Sequence, residues 1–257
     1  MSYDSVVAAD SPLAWWKLAE GAGATSNLDS SGNGHTGTPS NIVFHTWTPV
    51  PSTPSETGPS FNGTSSRMSS AYNPSGQSAF SVELILNAQG NAQSYSRVVA
   101  NDYTDGGDNK GFEVNLNGTT SLQVQFAIGN GTTFGFAGSF NTVPVTGTHV
   151  VTCTWDGTTL RIYIDGVLDP YTGSVSGTLA AGSYDVMIGA DPGLGPGNYY
   201  VGELAQVSLY GTALSQADIT AHYLAATAPA GHWIAPFSDA NDFPFKGPLA
   251  FLRIGSP

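Results

Sequence analysis

The chain has 257 residues, 40% of them hydrophobic and only 10% charged, with 32 Gly and 16 Pro, where an ordinary soluble domain carries about 25% charge. Nineteen acidic against seven basic side chains give a net charge of −12, the wrong sign for a partner whose phosphates must lose counterions, so nucleic acid and anionic lipid surfaces are set aside. One cysteine excludes an intrachain disulfide, and low charge density with abundant aromatics excludes a disordered chain.

The opening "MSYDSVVAADSPLAWW" has neither a basic region nor an apolar run of signal length. No apolar run anywhere reaches the roughly 18 residues of a membrane span. The expectation is a chain made in a cytoplasm and not exported by an ordinary signal. Its Gly/Thr/Tyr-rich, low-charge composition nevertheless suits an exposed extracellular module, and a virion protein meets both conditions.

Apolar residues then recur with period two, the mark of half-buried strands. In chain order the segments are "LAWWKL" (13–18), "NIVF" (41–44), "RMSS" (67–70), "FSVELIL" (80–86), "SRVVA" (96–100), "GFEVNLN" (111–117), "LQVQFAI" (122–128), two hairpins over 149–168, "YDVMIG" (184–189) and "GELAQVSLY" (202–210). "TPVPSTPSETGP" (48–59) holds four prolines and reads as a long ordered loop. Asn117-Gly118, Asp156-Gly157 and Asp165-Gly166 suit the positive φ of type I′ hairpin turns. About a dozen short strands with such turns predict an all-β, two-sheet antiparallel sandwich. In "WDGTTLRIYIDGV", Leu160, Ile162 and Ile164 are expected in the core, with Arg161 and Tyr163 on an outer face. Cys153 shares parity with Val151 and Trp155 and is expected as a buried, reduced thiol.

One helix is expected near the C-terminus. In "LSQADITAHYLAAT", Ser215 and Asp218 have the spacing of a capping box, Ile219 and Tyr223 share a face, and Pro229 stops the run. Residues 228–257 have no clear period before "LAFLRI" (249–254) and are rich in Pro and aromatics. Trp233, Phe237, Phe243, Phe245, Leu249, Phe251 and Leu252 are too dense for an idle terminus, and they predict a segment docking on a partner subunit.

The order of motifs resembles a known family. "VAADSPLAWWKLAEGAGATSNLDSSGNGHTG" (7–37), "FNGTSSRM" (61–68), "FSVELIL", "HVVTCTWDGTTLRIYIDGVLD" (149–169) and "VGELAQVSLYGTALSQADITAHYLAA" (201–226) resemble bacterial and phage laminin G-like domains, of the concanavalin A-like jelly-roll superfamily. The resemblance implies a jelly roll over 1–227 with an extension at 228–257. It also implies a non-catalytic adhesion module that often binds glycans and often holds structural Ca²⁺. The N-terminal motif looks like minor tail proteins of phages of actinobacteria.

For calcium, the loop "DSSGNG" offers Asp29 and Asn33, with Glu203 as the partner that the resemblance implies; the alternative is that Asp29 and Asn33 only form turns. For a glycan, the candidates are Tyr103, Asp105 and Asp108 in an acidic loop, Arg161 and Tyr163 on an outer face, and Tyr199 and Tyr200, one of which should be exposed. Gln123 and Gln125 also face outward. Catalysis is not expected. Glycoside hydrolysis usually needs two carboxylates about 5–10 Å apart, and "VELIL" and "FEVNL" carry one acid each. No nucleophile elbow, zinc helix or phosphate loop is present. The expectation is a phage virion surface protein, a minor tail or capsid decoration protein, that contacts host-envelope glycans. Its partners would be other virion proteins in a homo-oligomer or symmetric array. The alternative is a structural cement protein with no glycan ligand.

Overall fold

A computed structural model describes residues 2–90, 95–102, 109–193 and 198–229, apart from the side chain of His45. In chain order the elements are α1 (Tyr3–Ala9), β1 (Ala14–Trp16), β2 (Gly37–Ser40), β3 (Val43–Trp47), β4 (Gly58–Asn62), β5 (Arg67–Ser70), β6 (Phe80–Ala88), β7 (Ser96–Ala100), β8 (Phe112–Asn117), β9 (Ser121–Gly129), β10 (Phe134–Pro144), β11 (His149–Trp155), β12 (Thr159–Ile164), β13 (Val167–Leu168), β14 (Gly173–Ser174), β15 (Met187–Ile188), β16 (Val201–Tyr210) and α2 (Gln216–Thr227). Among the described residues the strands form two antiparallel sheets. The nine-stranded sheet runs β13-β12-β11-β6-β16-β4-β3, with β1 added on β16 and β14 on β12; the seven-stranded sheet runs β10-β9-β8-β7-β15-β5-β2. This is the all-β jelly-roll sandwich that the alternation and the motif order predict.

The main core fills the space between the sheets. Phe80, Val82, Leu84 and Leu86 of β6 meet Phe112, Val114, Val124 and Phe126 of the opposite sheet, and Trp16 and Trp155 are fully buried with them. Each such side chain contributes about 1.5–3 kcal/mol by leaving water. The Trp155 indole N–H donates to the Val175 carbonyl at 2.8 Å, so its polar atom is not stranded. Cys153 is buried among them, and burial pushes its thiol well above the usual range, which keeps it protonated and unreactive.

A second apolar layer lies on the far side of the nine-stranded sheet. Tyr3, Val6 and Val7 of α1 and Ile219, Ala225 and Ala226 of α2 pack with Ile85, Val150, Tyr163 and Tyr210 of the sheet. Helix α2 starts with the expected box: the Ser215 hydroxyl accepts from the Asp218 N–H, and the Asp218 carboxylate accepts from the Ser215 N–H. Helix α1 was not anticipated. Its signal is short, an N-capping Ser2 followed by apolar residues at 3, 6 and 7, and seven residues are too few to stand out against strand-rich surroundings.

The helix layer corrects the expectation for Tyr163. Its parity does face out of the sandwich, but the helices cover that face, and it is only 6% exposed. It also explains why β6 lacks the expected polar parity: Glu83 and Ile85 point into the second layer and are fully buried. Of the three Asx-Gly pairs, only Asp165-Gly166 has positive φ at both residues (54° and 75°). At Asn117-Gly118 and Asp156-Gly157 the glycine alone is left-handed. There the Asp156 carboxylate accepts the N–H groups of Thr158 and Thr159 and closes a different turn. "YDVMIG" contributes only the two-residue β15. The proline-rich loop is ordered around buried Val50. The expected docking residues Trp233, Phe237, Phe243, Phe245, Leu249, Phe251 and Leu252 lie outside the described residues.

Candidate functional site

With the helices on the nine-stranded sheet, the outer face of the seven-stranded sheet is left for contact. Register fixes what stands there. Arg97, Asn115, Gln125 and Gly138 line up across β7, β8, β9 and β10, and Ala100, Glu113, Ala127 and Phe136 form the next row. These are the residues between the core-facing Val98, Phe112, Val114, Val124, Phe126 and Ala137, so period-two alternation places them outward. Of these, Ala100 and Ala127 are buried, and the Phe136 ring lies over Gly138.

Tyr95, Arg97, Glu113, Asn115, Gln125, Phe134 and Phe136 enclose a depression of about 350 Å³. Two aromatic rings flank it in the open, Tyr95 at 47% and Phe136 at 45% exposure. Tyr95 holds a left-handed backbone, φ 64°, a conformation that costs a bulky residue roughly 1–3 kcal/mol and that clusters at functional sites.

The base is polar and almost dry. Arg97, 1% exposed, places Nη2 3.0 Å from Glu113 Oε2 and Nε 3.8 Å from Asp191 Oδ2. The Asn115 amide donates from Nδ2 to Glu113 Oε1 at 3.1 Å. Asn115 is only 2% exposed, and its Oδ1 has no hydrogen-bond partner among the described residues. A buried acceptor without a donor costs about 1–3 kcal/mol. One guanidinium faces two carboxylates, so the base is net negative and offers no unpaired cation. Chemically it can accept hydrogen bonds from hydroxyls and stack rings against Tyr95 and Phe136, and it disfavours an anion.

The residues expected from sequence fall elsewhere. Tyr103, Asp105 and Asp108 lie outside the described residues. Arg161 is half-buried and paired with Asp156 at 2.5 Å on the nine-stranded sheet. Tyr199 and Tyr200 are 4% and 0% exposed, so neither is an open anchor. The Tyr199 hydroxyl accepts from Arg67 Nη1 at 3.3 Å, and the Tyr200 hydroxyl donates to the Glu203 carbonyl at 2.9 Å. Their alternation does not separate inside from outside because the chain at 198–200 passes between Arg97 on one side and the core on the other.

Asp29, Asn33 and Glu203 do not fit a calcium site. Asp29 Oδ1 accepts the N–H groups of Trp15 and Ser31 at 2.9 and 3.0 Å, and Oδ2 accepts that of His35 at 2.9 Å. Three donors thus point their protons at the carboxylate where a cation would stand. Asn33 donates to the carbonyls of Pro12 and Leu13, and Glu203 accepts from Asn87 at 2.7 Å. Among the described residues no three His, Cys, Asp or Glu side chains cluster as metal ligands. These hydrogen bonds make Asp29 an organiser of its loop.

Sequence reasoning passed over most of the site. Its signal was present: polar residues at the outward parity of three consecutive strands, Arg97 in "SRVVA", Glu113 and Asn115 in "GFEVNLN", Gln125 in "LQVQFAI". What the alternation alone does not reveal is that these four are buried, and that three of them are in contact.

The family model for the concanavalin A-like lectin/glucanases superfamily matches residues 62–220. Among solved structures, the chain is similar to the receptor-binding domain of botulinum neurotoxin type G, with TM-score 0.58, 15% identity, and coverage of 82% of this chain and 50% of that one. It is also similar to domain 4 of the extracellular arabinanase AbnA from Geobacillus stearothermophilus, solved with arabinotriose, with TM-score 0.55, 16% identity, and coverage of 82% and 98%. A structure of botulinum neurotoxin type C, whose cell entry depends on interaction with two ganglioside molecules, has TM-score 0.63 at 12% identity, covering 86% of this chain and 52% of that one. The chain spans about half the length of the neurotoxin chains it matches. At these identities the likeness shows the fold. No curated protein matches the chain in sequence.

Proposed function

The chain belongs to the concanavalin A-like lectin/glucanases superfamily, and on that premise we propose that it is a non-catalytic module binding uncharged glycans on the outer face of its seven-stranded sheet. The observation that carries this is the buried Asn115 Oδ1, partnerless among the described residues, at the base of a depression flanked by exposed Tyr95 and Phe136. A sugar hydroxyl supplies the missing proton, and the apolar face of a ring stacks on the aromatic walls. Because Arg97 is already matched by Glu113 and Asp191, carboxylated or sulfated sugars meet net negative charge. The arabinotriose of the arabinanase domain and the gangliosides of neurotoxin type C lend the reading support by analogy of fold alone. Glu113 is engaged by Arg97 and Asn115, a poor arrangement for protonating a leaving group, so we read no hydrolysis here.

The resemblance of residues 7–37 to phage minor tail proteins supports placing the module on a virion, where it contacts host-envelope glycans. Weak sites repeated around a symmetric particle would gain by effective concentration.

A glycan array of bacterial envelope polysaccharides, with matched neutral and acidic members, tests this. The expected result is binding to neutral members that Asn115→Ala and Phe136→Ala each weaken at least roughly tenfold, the equivalent of about 1.4 kcal/mol, with unchanged melting temperature. Binding confined to acidic sugars refutes the ligand class. No binding across the panel favours the structural cement role instead.

A further inference from the structure

Strand β10 continues past the depression. Beyond Gly138 its register against β9 shifts: Gly138 pairs Gln125 and Thr142 pairs Gln123, so extra residues stand opposite Val124. Bulges of this kind re-aim side chains. The Ser139 hydroxyl holds this one, accepting from the Val124 N–H at 3.0 Å and donating to the Asn141 carbonyl at 2.6 Å. The residue turned out is Phe140, 59% exposed. Its ring packs edge-to-face on Tyr171, 55% exposed, with centroids 5.3 Å apart at 72°.

The pair is rigidly mounted. Asp169, 2% exposed, accepts the N–H groups of Phe140 (2.9 Å) and Tyr171 (3.0 Å) on Oδ1, and the N–H and side-chain amide of Asn141 (2.9 and 3.0 Å) on Oδ2. Burial alone would favour the neutral acid, but these donors outweigh it and hold the Asp169 carboxyl below its usual range. One buried carboxylate therefore fixes the backbone under both rings, although holding two large rings in water gains the fold little. Exposed aromatic area of this kind marks a contact site.

Its place on the strand says what it contacts. Phe134, Phe136 and Phe140 all belong to β10. Four residues of strand from Phe136 to Phe140 span at most about 13 Å, and the Phe136 ring leans over the intervening Gly138, 3.3 Å from where a Cβ would stand there. We propose that Phe140 and Tyr171 form an outer subsite for the same glycan, so that the groove takes an extended linear oligosaccharide along β10 and not a single terminal sugar. This rests on the glycan reading above and adds the chain length of the ligand and a second set of contact residues.

Calorimetry on the full chain with ladders of neutral linear oligosaccharides tests it, using cello-, xylo-, manno-, arabino- and chito-oligosaccharides of two to six units. In the ladder that binds, affinity is expected to rise roughly tenfold from the disaccharide to the longer chains, the worth of one added aromatic contact, and then level off. Phe140→Ala and Tyr171→Ala should each flatten that rise and leave the disaccharide affinity unchanged, and Phe140→Trp should retain it. Affinity independent of length, or a rise that survives both alanine variants, overturns the outer subsite while leaving the inner one standing. No binding in any ladder overturns the glycan reading and the outer subsite together.

Discussion

The buried Glu83–His222 pair makes stability fall as pH rises through the mildly alkaline range. Glu83 of β6 is fully buried and accepts from the Tyr3 hydroxyl (3.0 Å), the Thr152 hydroxyl (2.9 Å) and His222 Nδ1 (2.9 Å), while His222 Nε2 lies 3.0 Å from Asp10. Tyr210 completes the surroundings from β16. Burial alone would lower the His222 pKa; Glu83 first and Asp10 second outweigh it and raise it to about 9 from an ordinary 6.5. A raised folded-state value means that the native state binds a proton more tightly than the unfolded chain. The resulting stabilisation is complete below pH 6.5 and is lost as pH climbs through 9. A shift of that size corresponds to about 3 kcal/mol, or roughly 6–10 °C in melting temperature for a domain of this length. Denaturant melts at half-unit steps from pH 6 to 10 should show the loss. His149, raised by its contact with Asp165, adds a slope of the same sign, so the comparison with His222→Gln isolates the pair. That variant should lose about 3–5 kcal/mol at pH 6, since it strands a buried carboxylate, and should lose most of the pH slope. A wild-type curve flat between pH 6.5 and 9, or a variant that keeps the full slope, refutes the assignment.

Two further outcomes follow from local geometry. Asp29→Ala removes the acceptor of three N–H groups and should cost about 2–4 kcal/mol; the loss should be the same in millimolar Ca²⁺ and in chelator, and a calcium-dependent difference in melting temperature would restore Asp29 as a metal ligand. Gly166→Ala puts a side chain at φ 75° with its Cβ 3.2 Å from the Tyr223 Cβ, and should destabilise by at least about 1–2 kcal/mol; an unchanged melt would show that α2 yields freely at this contact.

The sandwich was legible because alternation is a local property. "FSVELIL" and "LQVQFAI" point their core residues inward in any sheet, and the Ser215–Asp218 box needs only three residues of spacing. What the alternation hides is depth on the other parity. Glu83 and Glu113 each stand at the polar position of an alternating strand, and the same pattern reads as a solvated face in both. One lies under two helices, the other in an ion pair at the base of an open groove, and the difference is set by residues far away in sequence: Tyr3 and His222 for the first, Arg97 and Asp191 for the second. The tyrosines fail as predictors for a related reason. Tyr163, Tyr199 and Tyr200 stand in polar company in the sequence, whereas Tyr95 and Phe136 are exposed because of a left-handed backbone and an open sheet face, and neither is visible in composition.

The two sheets divide the work, and the division follows from where the buried charge is spent. On the nine-stranded sheet, Glu83 finds donors from α1, β11 and α2, so its carboxylate ties both helices to the sandwich and seals that face. On the seven-stranded sheet, Arg97 is held by Glu113 and Asp191, and Asn115 keeps a buried acceptor at the base of the depression. The first network pairs its charges within the protein, His222 with Glu83 and Asp10, and serves stability. The second leaves an oxygen for which the described residues offer no donor, an arrangement costly to keep unless a ligand completes it. Substitutions at His222 should therefore move the melting curve and spare sugar affinity, while substitutions at Asn115 should do the reverse. A single variant set measured by both methods separates the two roles, and a His222 variant that loses affinity while still folded would show that the sheets are coupled through the core between them.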